Sequence, residues 1–232
     1  MSTRGLIGFR VQDRLIGAYN HSDSYPSWLG AQVVDFVSKR LRTPEQVEGF
    51  KANVAGLVFV ESDKAPDLAA WKHYLAFAEA HGEKVEWSAV HSMGKKRMKV
   101  EWYGLLRDFQ GICTLYGIEA GVLRHLEEYS EFLKDSLFCE YAYILDLEAG
   151  VLEFYEGFLA TAEDPENYGP CALVGTVPFG QADLKALNGA FGLEGEAAVT
   201  KIPEQDVSWI SERIPEARPV KARKPRALGR AS

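Results

Sequence analysis

A single-domain α+β fold over residues 1–214, followed by a basic tail at 215–232, is what the sequence predicts. Three observations lead there. Two pairs of short apolar runs, at 5–19 and 138–158, have the composition and spacing of β-hairpins. Between them lie stretches whose apolar residues recur at helical spacing. No internal repeat and no Pro-, Gly- or Ser-rich linker divides the chain before residue 215. The arrangement is compatible with a layered αββα sandwich that starts on an N-terminal β-hairpin.

The elements follow in order. Residues 5–11 and 14–19 are apolar runs around Gln12-Asp13, which predicts the first hairpin. After Pro26, the positions Leu29, Val33, Phe36, Val37 and Leu41 fall on one helical face. Pro26 suits the first turn, and Lys39, Arg40 and Arg42 stand where the helix dipole favours cations. Thr43-Pro44-Glu45-Gln46 reads as the start of a second helix, with Thr43 as N-cap and Gln46 closing a capping box. The run from Val54 to Val60 predicts a strand covered on both faces. A helix is expected over 67–80, then strands over 85–90 and 97–103. Leucine-rich spacing through Val122, Leu123, Leu126, Tyr129 and Leu133 predicts helix within 105–134. Strands at 138–147 and 151–158 around Glu148-Ala149-Gly150 make the second hairpin, followed by a strand at 171–177 and a helix at 181–188.

Composition bounds the function. The 232 residues are 47% hydrophobic and 12% aromatic, ample for a packed core. A net charge of −7 weighs against a domain that binds nucleic acid over its whole surface, which needs a basic face to displace counterions. Any such contact would fall to the tail, where Arg218, Lys221, Arg223, Lys224, Arg226 and Arg230 stand among prolines. That composition predicts disorder, and it reads either as a solvated terminus or as a tether for RNA, DNA or an acidic partner. Cys113, Cys139 and Cys171 are odd in number, far apart and set among apolar neighbours, which predicts buried free thiols in a reducing compartment. With no signal peptide and no window near the ~20 apolar residues of a membrane span, the expected location is the cytoplasm, with no membrane partner.

No phosphate-binding loop, dinucleotide-binding turn or nucleophile elbow is present, and His73, His81 and His125 have no partners at metal-ligand spacing. Neither a cofactor nor a metal is expected. The basic turn Lys95-Lys96-Arg97 reads as a phosphate grip or as a solvated turn. The densest polar cluster is Asn20-His21-Ser22-Asp23-Ser24-Tyr25, between the second strand and the first helix. In a chemical reading His21 is the general acid or base, Asp23 orients it, and Asn20, Ser24 and Tyr25 contact substrate. In a structural reading Asp23 or Ser24 caps the helix and Tyr25 packs on its first turn. Removal of Met1 would free the α-amine of Ser2 to act as base for its own hydroxyl. Ser2 or Thr3 is then the candidate nucleophile, and Arg4 the residue that holds an anionic group. The hairpin should return the chain so that Ser2–Gly5 and Asn20–Pro26 lie side by side.

An N-terminal Ser feeding at once into a hairpin, with a second long hairpin later, resembles the N-terminal-nucleophile hydrolases and the class II glutamine amidotransferase domain. That resemblance implies two stacked sheets between helical layers and an amidohydrolase-like activity on a small molecule. The amidotransferase pattern has Cys-Gly after the initiator Met where this chain has Ser2-Thr3. Thr3-Arg4-Gly5 together with Tyr19-Asn20-His21-Ser22-Asp23-Ser24-Tyr25-Pro26 is similar to a group of uncharacterised proteins carried by bacteriophages and some bacteria. This second resemblance implies a phage or prophage setting, a host-cytoplasm location and an accessory role, with a host protein or a small molecule as partner. Two functions follow: a phage-type protein that binds a host macromolecule without catalysis, or a small-molecule enzyme built on the Ser2–Arg4 and Asn20–Asp23 cluster.

Overall fold

A computed structural model describes residues 3–78, 101–158 and 168–211, with the backbone alone for 75–78 and 211. The first hairpin forms as expected: β1 (Gly5–Val11) pairs antiparallel with β2 (Arg14–Asn20), and Gly5 stands opposite Asn20. Gln12 and Asp13 both take positive φ, 51° and 58°, the backbone that a two-residue hairpin turn matched to strand twist requires. A single π-helical turn at Pro26–Gly30 leads into α1 (Ala31–Arg40), and α2 (Pro44–Ala55) follows. The Thr43 side chain accepts from the Gln46 amide and the Gln46 side chain accepts from the Thr43 amide, so the capping box is complete. Thr43→Ala is expected to cost about 1 kcal/mol, read as a lower urea midpoint with an unchanged slope.

Past α2 the sequence reading needs correction. Val54 and Ala55 belong to the helix, and only β3 (Val58–Val60) is extended, with Val58 54% exposed where a doubly covered strand was expected. Then come α3 (Leu68–Ala78), capped by Asp67 Oδ1 accepting from the Ala70 amide, and α4 (Trp102–Leu106). Trp102 and Tyr103 are therefore helical, against the strand expected over 97–103. The strand at 85–90, His81, the basic turn at 95–97, Ser2 and the tail lie outside the described residues. The expected helix within 105–134 is broken into a 3-10 turn (Arg107–Phe109), α5 (Ile112–Glu119), β4 (His125–Glu127) and a second 3-10 turn (Ser130–Lys134). Gly111 and Gly121, both at positive φ, bracket α5 and stop it from extending. Leu126 sits in a strand because β4 pairs in parallel with β3, a contact between distant segments that local periodicity does not reveal.

The later elements match more closely: β5 (Tyr141–Asp146), β6 (Val151–Glu156), β7 (Ala172–Pro178), α6 (Leu184–Phe191) and α7 (Ser208–Ser211). The large sheet has the order β2-β1-β5-β6-β7, with β1 and β5 parallel and the other pairs antiparallel. The class is α+β, and no helix among the described residues is long and apolar enough to cross a membrane.

Side chains alternate across this sheet. Ile7, Phe9, Tyr143, Leu145 and Phe154 join the main core with Val33, Phe36, Val37 and Leu187 of α1 and α6. Leu6, Ala142 and Ile144 point the other way, into a smaller cluster with Cys139, Cys171, Phe132 and Leu133. Among the described residues that second face is covered by the segment around the 130–134 turn. All three cysteines are buried and free. Burial pushes the Cys113 thiol up to about 12, so a reagent that needs thiolate should leave Cys113 unmodified at pH 8 until denaturant is added. Rapid labelling of Cys113 in the native protein would contradict this packing.

Candidate functional site

The hairpin brings the two N-terminal segments together. The Ser24 amide donates to the Thr3 carbonyl at 3.1 Å, and a Cβ on Gly5 would stand 2.5 Å from Ser24 Cβ and against the Tyr141 carbonyl. Only glycine permits this approach. Ser24 is fully buried and Asn20 nearly so. Asn20 Nδ2 donates to Ser24 Oγ at 2.7 Å and to the Ser22 carbonyl, while the Tyr143 hydroxyl donates to the Ser24 carbonyl at 2.9 Å. Tyr143 is itself buried, and burial holds its phenol well above its ordinary pKa. Asn20 and Ser24 thus satisfy each other and fix the loop.

The remaining residues of the cluster face solvent. The Tyr19 hydroxyl lies 3.1 Å from His21 Nδ1, and the His21 amide donates to Gln110 Oε1 at 3.1 Å. Burial raises the Tyr19 pKa, so the phenol keeps its proton, and it meets Nδ1 as donor or acceptor according to the imidazole tautomer. Asp23 is exposed, at φ 59°, and its carbonyl accepts from the Leu29 amide. The π turn starts after Tyr25 without a side-chain cap, so neither Asp23 nor Ser24 fills that role. The Tyr25 carbonyl accepts from the Trp28 and Gly30 amides. Arg4 is tied to Glu140 through its backbone in both directions, and its guanidinium lies 5.3 Å from the centre of the Phe138 ring.

Around the exposed part of the loop runs an open cleft of about 650 Å³. Its walls are Asn20–Asp23, the first turn of the helical segment through Trp28, Leu29 and Gln32, the stretch from Tyr103 to Ile112, and Gln205. The positive φ of Gly111 turns the chain towards Asn20, where a Cβ would meet Asn20 Oδ1 at 3.3 Å. Gln32 is 5% exposed; Nε2 points to the Pro203 carbonyl and Gln205 Oε1, and Oε1 has no hydrogen-bond partner among the described residues. Arg107 is exposed and makes no ion pair among the described residues.

Sequence reasoning located the loop but not the opposite wall. Tyr103, Arg107, Gln110, Gly111 and Gln205 reach it from segments about 80 or more positions away in the chain. The one local signal was Gln110-Gly111, a polar break between the apolar stretches Trp102–Leu106 and Ile112–Ile118. No protein-family model matches the chain, and no curated protein or solved structure matches it either.

Proposed function

We propose that the chain is a phage-type accessory protein that acts by binding a small polar molecule of the host cell in the cleft beside His21. One observation carries this reading: His21, Ser22 and Asp23 line a concavity of about 650 Å³, within the range of ~300–1,000 Å³ that small-molecule sites occupy. Its rigid base suits a binding site, because loop order is supplied by Asn20, Ser24 and Tyr143 before any ligand arrives. Arg107 offers a cation to an acidic group, and Gln32, Gln110 and Gln205 offer amide donors and acceptors.

Native mass spectrometry of the full chain, mixed with a bacterial extract freed of macromolecules, tests this. The expected result is a discrete small-molecule adduct that is lost in Arg107→Ala. An extract that leaves the wild-type mass unchanged, together with capture of a host protein through the same loop, would favour macromolecular binding and overturn the proposal.

The N-terminal-nucleophile amidohydrolase is the second reading. The bond between the Ser24 amide and the Thr3 carbonyl supports it, since it draws the start of the chain to the loop. It requires a free Ser2 amine, so an intact mass that retains Met1 or carries an acetyl group removes it.

A further inference from the structure

Two of the three cysteines meet at one end of the large sheet. The strand register places Tyr141 of β5, Glu156 of β6 and Ala172 of β7 side by side, so β6 stands between the other two. Cys139 lies two residues before Tyr141, and Cys171 immediately before Ala172. Past Glu156 the intervening strand gives way to Gly157, where a Cβ would strike the Cys139 carbonyl. The missing side chain lets Cys139 cross the end of β6 towards β7. There the Cys171 thiol donates to that same carbonyl at 3.2 Å. Covalent dimensions then put Cys171 Sγ no more than about 6 Å from Cys139 Cα.

The main chain holds the pair in place. The Cys171 amide donates to the Leu133 carbonyl and the Cys139 amide to the Asp135 carbonyl, both at 2.9 Å, so one short segment anchors both residues. Their side chains share the smaller apolar cluster with Leu6, Ala142 and Ile144. Cys113 belongs to the main core instead, where its sulfur accepts from Gln205.

The two thiols are not equivalent. As a thiolate, Cys171 accepts a hydrogen bond from the Cys139 thiol, which holds it below the ordinary cysteine pKa. The same contact, together with burial, pushes Cys139 far up. Cys139 has no exposed surface, whereas Cys171 keeps 7% of its own. Cys171 is therefore both the better nucleophile and the one that a molecule little larger than water can reach.

We propose that Cys139 and Cys171 are a peroxide-responsive thiol pair that closes to a disulfide on oxidation and reopens on reduction. The Cys171 thiolate attacks a peroxide oxygen. The S–O bond forms, the O–O bond breaks, and hydroxide leaves to take up a proton as water. Sulfenic acid at Cys171 carries no charge and no longer holds the Cys139 proton, so the largest cause of the high Cys139 pKa disappears. Cys139 sulfur then attacks Cys171 sulfur. The S–S bond forms, the S–O bond breaks, and the departing hydroxide leaves with the Cys139 proton as a second water. The net change is two thiols and one peroxide to one disulfide and two waters. A dithiol reductant reverses it by exchange and itself becomes the disulfide.

The test is to treat the native full chain with hydrogen peroxide, then weigh it intact and map it by cleavage after glutamate. Cleavage there releases Cys139 and Cys171 on separate peptides, 132–140 and 167–194. The expected product is lighter by about 2 Da, has those two peptides joined, and returns to the starting mass with dithiothreitol. Cys113→Ser should cross-link as the wild type does. Cys139→Ser should stop at a Cys171 sulfenic acid that dimedone traps, and Cys171→Ser should resist oxidation, circular dichroism showing that all three variants fold. Peroxide that leaves all three thiols titratable in denaturant overturns the proposal. So does oxygen added to Cys139 and Cys171 without a link between them, or oxidation of Cys113 at the same rate as the pair.

Discussion

Gly5→Val is expected to destabilise the protein by on the order of 3 kcal/mol and to loosen the loop from Asn20 to Pro26. The added side chain meets the Tyr141 carbonyl on one side and the buried Ser24 on the other, so relief requires parting β1 from β5 or expelling Ser24. Expelling Ser24 would break its amide bond to Thr3, remove one of the two acceptors of Asn20 Nδ2 and leave the Tyr143 hydroxyl without its acceptor. For a chain of this size the loss corresponds to roughly 6–12 °C in Tm. Gly104→Ala is the control, because nothing among the described residues lies within 4 Å of a Cβ there. Equal melting of the two variants would mean that Gly5 does not make the close approach described.

Phe36→Ala is expected to cost about 3–5 kcal/mol. Phe36 is fully buried on α1 and packs its ring against Phe50 of α2 at 5.7 Å and edge-on to Tyr116 of α5 at 5.1 Å. Three helices meet on this ring, so its removal leaves a cavity that none can fill without moving the others. The loss should reach the site as well, since Gln32 stands one helical turn before Phe36 and forms the cleft wall. Urea denaturation gives the magnitude, and a change below about 1 kcal/mol would contradict a shared packing centre.

Those two positions also show what local sequence carries. Phe36 was legible, because it belongs to a helical stripe with Leu29, Val33 and Val37 that needs no knowledge of the partner surface. The two hairpins and the capping box were legible for the same reason, each being complete within a few residues. Gly5 was legible only as part of a strand; its steric demand comes from Ser24 and Tyr141, which the sheet brings to it. The β3–β4 pair misled, since the apolar run through Val60 looks like a buried strand, yet only three residues pair and two of them are exposed.

The candidate site divides in the same way. Asn20 to Ser24 stood out as a polar cluster, but the chain alone gave no sign that Asn20 and Ser24 would turn inward and spend their polar atoms on the loop. The Tyr143 hydroxyl that supports the loop comes from 119 residues away in the chain. His125 and Glu127 are ordinary residues in sequence, and what sets them apart is that Tyr74, Trp102 and Tyr129 gather around them.

Amide chemical-shift mapping tests ligand binding in the cleft most directly. The full chain, labelled with ¹⁵N, would be titrated with a bacterial extract freed of macromolecules. The predicted result is saturable shifts confined to His21, Ser22, Asp23, Arg107, Gln110 and Gly111. Shifts that gather instead at the exposed Leu137, Phe138 and Phe158, with the cleft amides unmoved, would contradict it.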